Sequence, residues 1–442
     1  AASHAQSYRY HAGNSGASSP GPAIRHKYRA FGHSPVDPRG RKDTVVSMNR
    51  RHDIDALRVL AFGLLILYHV GMFYVADWGW HVKSEYPSQW LQLPMLLANQ
   101  WRMPLIFLIS GLAVNFVRNK YSAGRFALRR SWRLLVPLVF GMAIVVPPQA
   151  YFEALSKGAI EPGFPDFMHR YLSFGDFPAN AWDGVEIATW TWNHLWYLPY
   201  LLCYTLVLIP LARLIDGPAA GLRGAFRGLR RTWLILIPIV PLMVYGLFIY
   251  PRFPYVSHAL LDDWYAHAQF FTFFFYGFLI GRDAGLWTEF ARLRKVSLLL
   301  AGIGFLALLL ARELFVVGAG GWSDLALVFV VFFNRWIWIV AVLGWGHHLL
   351  NRPLKWLPYA TEAVYPWYIL HQTITVVAGV YLSRLALGPV AEPLLLLLAT
   401  LGGCLLLHEF VIRRTPFLRP FFGLGLRTTP LAASPRRPRY AE

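Results

Sequence analysis

Ten apolar stretches divide this chain, with approximate cores at 56–75, 93–116, 134–152, 194–215, 232–250, 266–281, 296–316, 325–349, 363–384 and 393–412. Each approaches the ~20 residues that carry a helix across ~30 Å of hydrocarbon. Lipid offers no partner to a bare peptide group, so such stretches must satisfy their backbone internally as helices. The expected fold is an all-α integral membrane protein of about ten transmembrane helices. Composition agrees, with 56% hydrophobic and only 15% charged residues, far from the balance of a soluble domain. The sixth stretch is the shortest and its limits are the least defined.

The formal net charge of +19 could suggest a nucleic-acid partner, but the basic residues sit in short runs between the apolar stretches. There they set topology. Loops 117–133, 212–231, 281–295 and 351–362 carry 17 Lys and Arg residues, whereas the alternate loops 76–92, 154–192, 251–264, 317–324 and 385–392 carry 4. That asymmetry places both termini in the cytoplasm and excludes nucleic acid as the reason for the charge. The natural site for such a chain is the bacterial inner membrane.

Three regions follow. Residues 1–47, rich in Gly, Ser, Pro, His and Arg and without an apolar core, read as a disordered basic leader. Met48 looks like a natural start, which makes the leader an upstream extension. Residues 48–412 form the membrane domain, and 413–442 a cytoplasmic basic tail. Cys203 and Cys404 lack metal or redox spacing and read as packing residues; no other spacing demands a metal.

Loop 154–192 is the longest outer loop, with Glu161, Asp166, Asp176, Asp183 and Glu186 among Phe164, Phe167, Tyr171, Trp182 and Trp190. Aromatic faces beside carboxylates suit a sugar, and equally suit an interfacial belt, which is the stronger expectation. His347–His348 and His408–Glu409 fall at cytoplasmic ends and read as solvated or interfacial.

The functional signal lies in ionisable residues inside the apolar stretches. From Arg58 to His69 is ~16 Å of helical rise and three turns plus ~20°, so both lie on one helix face. Asp55, three residues before Arg58, is placed to orient its guanidinium. Arg102 falls at roughly the depth of His69 on the second stretch, with Ser110 and Gly111 deeper toward the cytoplasm, and Arg335 and His371 are further intramembrane groups. A charge at a helix centre costs ~2.5–3.5 kcal/mol even on the lenient insertion scale, so several imply a shared polar interior. Taken singly, each has a plainer reading: His69 as interhelical glue, Arg58 as an anchor, Ser110–Gly111 as a close helix crossing.

Together these residues resemble a family. RHDIDALRVLAFGLLILYH carries the arginine, ten residues, histidine pattern of the acyltransferase-3 membrane proteins, and FLISGL is similar to that family's signature on the second span. WHVKSEYPSQWL at 80–91, WRMPLIFLISG at 101–111, HLWYL at 194–198, WGHHLLN at 345–351 and YILHQTIT at 368–375 bring it closest to the branch that succinylates osmoregulated periplasmic glucans. The resemblance covers residues ~50–412. It implies that His69 is catalytic, that Arg58 meets the acyl donor, that Arg102 and Ser110 belong to the polar core, and that His194 and His371 line the active cavity; by position Asp55 joins Arg58 at the donor and Arg335 joins the polar core. Leu112 departs from the family's aromatic residue after Ser-Gly, and Gln372–Thr373 stand where a His-Pro pair is common, which bears on the acceptor.

The implied reaction is O-acylation: an acetyl or succinyl group leaves cytoplasmic acyl-CoA, the co-substrate, for a hydroxyl of an extracytoplasmic glycan such as periplasmic glucan. Such a transfer needs a base, a charge stabiliser and a cavity that excludes water. A neutral imidazole is accessible at His69, Arg58 suits donor phosphate, and Arg102 suits an oxyanion or a succinyl carboxylate. The alternative is a secondary transporter of small organic anions lined by Arg58, Arg102 and Arg335, although no convincing internal repeat supports it.

Overall fold

Every expected apolar stretch coincides with helix in the computed structural model, which describes residues 51–175, 190–254, 256–314 and 321–426. Among these residues, eight helical segments are long and apolar enough to cross a membrane. Two of the ten expected stretches fall outside that set: Trp264–Ile280, only 17 residues long, and Leu357–Ser383. The protein is a multi-pass, all-helical membrane protein. The leader 1–47, the residues 427–442, and Asp176, Trp182, Asp183 and Glu186 lie outside the described residues.

In chain order the helices are α1 (His52–Tyr74), α2 (Gln92–Val117), α3 (Ala123–Phe140), α4 (Pro147–Ser156), α5 (Phe164–Leu172), α6 (Tyr197–Asp216), α7 (Ala220–Gly228), α8 (Arg231–Leu236), α9 (Ile239–Phe248), α10 (Trp264–Ile280), α11 (Ala284–Leu314), α12 (Trp322–Leu350), α13 (Leu357–Ser383) and α14 (Gly388–Leu406). Helix α1 is the hub, packing against α2, α12, α13 and α14, while α11 pairs with α12 along most of its length.

The tightest crossing is that of α2 with α10. A Cβ on Gly111 would sit 1.8 Å from the carbonyl oxygen of Phe274, and one on Gly277 1.9 Å from that of Leu108. Two glycines, one on each helix, thus let the backbones touch, the small-residue packing that membrane helices use where lipid removes the hydrophobic drive. The plain reading of Gly111 holds, while its neighbour Ser110 does something else.

A π-helical turn at Gly141–Val145 joins α3 to α4 just before Pro147 and Pro148, where the missing N–H groups loosen the ladder. This bend lets α4 lean against α13 and brings Gln149 and Glu153 to the polar interior. Of the described aromatics in the long outer loop, Phe167 and Tyr171 are buried with Tyr151 in a small core of their own, while Phe164 stays exposed.

Both His347 and His408 depart from the solvated reading. Asp53, fully buried at the start of α1, takes His347 Nδ1 at 2.7 Å and both Arg51 Nε and Nη2, at 2.9 and 2.7 Å. A buried carboxylate demands such partners, and this one ties α1 to α12. His408 is fully buried against the ring of Tyr359, because the π-helical turn Leu407–Ile412 swings it inward.

Candidate active site

Two cavities meet at the centre of the bundle. The larger, about 690 Å³, is lined by Arg58, Ser110, Arg129, Arg130 and Arg133, and the segment Pro420–Leu426 also borders it. The smaller, about 490 Å³, holds His69, His81, Arg102, His194 and Arg335. Phe62, Ile106, Tyr197 and Tyr368 border both, and the rings of Phe62, Tyr197 and Tyr368 touch one another edge-on, 5.4–6.2 Å between centroids. An aromatic partition therefore separates an arginine chamber from a histidine chamber. Arg58 and His69, on one face of α1 as their spacing requires, open into different chambers.

Among the described residues, neither chamber has an Asp or Glu in its lining. Asp55 stands 3.9 Å from Arg58, one turn along the same helix. Arg129, Arg130 and Arg133 had been counted only as topology-setting charges. Their one-face spacing of three and four residues on α3 is the signal that would have gathered them.

His69 is held by His371. Its Nδ1 lies 2.7 Å from His371 Nε2, with the two rings parallel to within 2°. The proton positions follow from what surrounds them. Nδ1 of His371 faces the carbonyls of Tyr368 and Trp367 at 2.8 and 3.1 Å, so it must carry hydrogen. In the neutral ring Nε2 then accepts, His69 Nδ1 donates to it, and His69 Nε2 keeps its lone pair. His371, fully buried, stands behind His69 rather than in the cavity lining. The arrangement is that of a base oriented by a second group.

His194 is equally fixed but has no free nitrogen. Its Nε2 donates to the Ile369 carbonyl at 3.1 Å, and its Nδ1 accepts from Gln149 at 3.3 Å. It forms a wall, edge-on to His371 at 5.3 Å. Arg335 donates to the Gln100 carbonyl at 3.0 Å and to Gln269 Oε1. Ser110 hydrogen-bonds the Tyr197 hydroxyl and belongs to the arginine chamber.

Arg102 is different. It is 7% exposed, its guanidinium lies 3.5 Å above the Tyr68 ring, and its Nε and Nη1 have no hydrogen-bond partner. A buried guanidinium with unmet donors next to a potential base is prepared for an anionic group.

Sequence reasoning assigned no role to His81 and Glu153. Loop 76–88 is built rather than loose: Ala76 N and Ser88 N pair with the Ser88 and Tyr74 carbonyls, and Ser84 Oγ donates to buried Glu392 at 2.7 Å. Lys83 Nζ caps the end of α1 on the Met72 and Val75 carbonyls; partial burial holds this ammonium's pKa below the ordinary lysine value. The loop thereby presents Trp80 and His81 to the histidine chamber. Nδ1 of His81 is paired with Glu153, whose other oxygen takes Lys157 at 2.8 Å. No group of three or more His, Cys, Asp or Glu side chains among the described residues could hold a metal ion.

Residues 51–409 match the sequence profile of the Acyltransferase domain of the acyltransferase-3 family. Among curated proteins, glucans biosynthesis protein C of Escherichia coli O81 (strain ED1a) is 24% identical over 390 residues, covering 85% of this chain and 95% of the relative. The protein of the same name from Escherichia coli O6:K15:H31 (strain 536 / UPEC) is 23% identical over 388 residues, with the same shares. No solved structure matches the chain.

Proposed function

This chain belongs to the acyltransferase-3 family, and on that premise we propose that it moves an acetyl or succinyl group from cytoplasmic acyl-CoA to a hydroxyl of an extracytoplasmic glycan, with glucan the favoured acceptor. The family decides for an acyltransferase over the anion transporter. The observation that carries the reaction scheme is the His69–His371 pair, which leaves His69 Nε2 as a lone-pair base inside a cavity that adjoins four arginines.

In this scheme the arginine chamber takes the donor. Arg58, Arg129, Arg130 and Arg133 would meet the phosphates of coenzyme A through planar, permanently charged donors, and the basic loops support a cytoplasmic side for this chamber. The thioester reaches past the aromatic partition toward His69. His69 Nε2 takes the acceptor hydroxyl proton as its oxygen attacks the thioester carbonyl. The new C–O bond forms, the C–S bond breaks, and His69 returns the proton to the departing sulfur. His371 steadies the imidazolium by keeping its Nε2 on His69 Nδ1–H. Arg102 serves as the partner of negative charge, either the developing oxyanion or the terminal carboxylate of a succinyl group.

The inner bacterial membrane, both termini in the cytoplasm, the leader 1–47, the membrane domain 48–412 and the tail 413–442 complete the proposal. Support comes from the charge asymmetry of the loops. The test is free thiol release from succinyl-CoA and acetyl-CoA by protein in nanodiscs, with and without glucan, for wild type and His69→Ala. Acceptor-dependent release lost in a folded variant supports the scheme. Equal release by the variant, or none by wild type with any acceptor, overturns it.

A further inference from the structure

The histidine chamber contains a second imidazole of fixed tautomer that the scheme leaves idle. His81 gives its Nδ1–H to Glu153, and Glu153 is itself held by Lys157, so in the neutral ring Nε2 of His81 is an acceptor. It meets the side-chain nitrogen of Gln372 at 2.8 Å. That same nitrogen lies 3.2 Å from Gln149 Oε1 and 3.1 Å from Asn193 Oδ1. Gln149 cannot turn its amide to relieve this, because its own nitrogen serves Thr373 Oγ1 and His194 Nδ1. Three acceptors thus surround an amide that has two hydrogens. One acceptor is always short of a donor, in a chamber where His81 and Asn193 both line the wall.

A hydroxyl entering the chamber supplies the missing hydrogen, so that the three acceptors are met by the two amide hydrogens and its own. A carboxylate or fully ionised phosphate brings no hydrogen, and a cation finds two guanidiniums and, among the described residues, no carboxylate in the lining. The Trp80 ring stands beside both imidazoles, 6.5 Å from that of His69 and 5.4 Å from that of His81. A flat polyol ring laid on Trp80 reaches both histidines with different hydroxyls.

We propose that His81, oriented by Glu153 and with Gln372 beside it, binds a second hydroxyl of the acceptor, so that the substrate class is a compound with neighbouring hydroxyls, such as a sugar ring, and not a simple alcohol. This rests on the reading that the histidine chamber takes the acceptor. His81 is a specificity residue, distinct from the base that acts on the reacting hydroxyl.

The experiment compares cyclohexanol with trans-1,2-cyclohexanediol as acceptors, using succinyl-CoA or acetyl-CoA and the full chain in nanodiscs. Wild type should prefer the diol by at least tenfold in kcat/KM. His81→Ala should bring the diol down to the level of the mono-alcohol through a raised acceptor KM, with a much smaller effect on the mono-alcohol and on the donor KM. His81→Gln, which retains an accepting oxygen, should recover part of the preference. Glu153→Leu attacks the same interaction from α4 and guards against misfolding of one variant. If wild type transfers but shows no diol preference, or the preference survives both variants, or donor and both acceptors fall together, the assignment is overturned while the acyl-transfer scheme stands. If wild type releases no thiol with any acceptor, including glucan, both fall.

Discussion

The ring of His69 lies parallel to that of His371, with Nδ1 of the first 2.7 Å from Nε2 of the second. Because Nδ1 of His371 is committed to backbone carbonyls of its own helix, the pair has one proton arrangement when neutral. Carboxylates commonly orient a catalytic histidine; in the proposed scheme a neutral imidazole does so for His69. A neutral partner avoids placing an unpaired anion in a dry interior.

Removing that partner tests its worth. His371→Ala leaves His69 free to adopt the wrong tautomer, and kcat should fall by about a hundredfold, within the ~10²–10⁴ range of positioned acid–base catalysis, with KM for donor little changed. His371→Gln, whose amide oxygen can still accept from Nδ1–H, should retain more activity than the alanine. Steady-state thiol release measures both, and an active His371→Ala enzyme would show that His69 needs no such support.

The arginine chamber makes a separate prediction about the donor. Arg130 is half-buried on α3 with its Nε unpartnered, beside Arg58 and Arg133. A hydrogen bond to a charged group is worth about 1.5–3 kcal/mol, so Arg130→Ala should raise KM for succinyl-CoA by roughly ten- to a hundredfold. The matching S-acyl pantetheine, which lacks the nucleotide phosphates, should be used equally by variant and wild type. A parallel loss with both thioesters would place Arg130 outside phosphate recognition.

Much of this was legible in sequence. Apolar length alone located the helices, because lipid leaves the backbone no alternative, and the helical repeat alone put Arg58 and His69 on one face. What one dimension could not give was depth across helices. Ser110 and Arg102 lie eight residues apart on α2 and fall in different chambers, because Phe62, Tyr197 and Tyr368 from three other helices close between them. His81 and Glu153 are 72 residues apart, and only the bend before Pro147 brings them together. His347 looked solvated until the buried Asp53 showed why a helix end should need it.

The crossing of α2 with α10 carries a stability prediction. A methyl group on Gly277 has no room beside the Leu108 carbonyl, and backbone on both sides prevents a side chain from yielding. Gly277→Ala should cost at least the ~1–3 kcal/mol typical of overpacking and lower the thermal midpoint in detergent, whereas Gly302→Ala on α11, where nothing lies within 4 Å, should not. Equal midpoints for the two would mean that the helices separate more readily than this contact allows.

Arg102 supplies a test of which acyl group is handled best. Its buried guanidinium has two unmet donors and no acidic neighbour in the chamber lining, so a substrate carboxylate gains a charge-assisted pair that an acetyl group cannot make. Arg102→Met keeps much of the volume over Tyr68 and removes the charge. If the guanidinium binds the far end of a succinyl group, the variant should lose roughly ten- to a hundredfold in kcat/KM with succinyl-CoA, from the ~1.5–3 kcal/mol of such a bond, and little with acetyl-CoA. If it steadies the oxyanion instead, both donors should lose equally in kcat, because every acyl transfer passes through that charge. Competition between the two donors in one reaction, read by mass of the acylated acceptor, separates these outcomes, and an unchanged product ratio with unchanged rate would remove Arg102 from the reaction altogether.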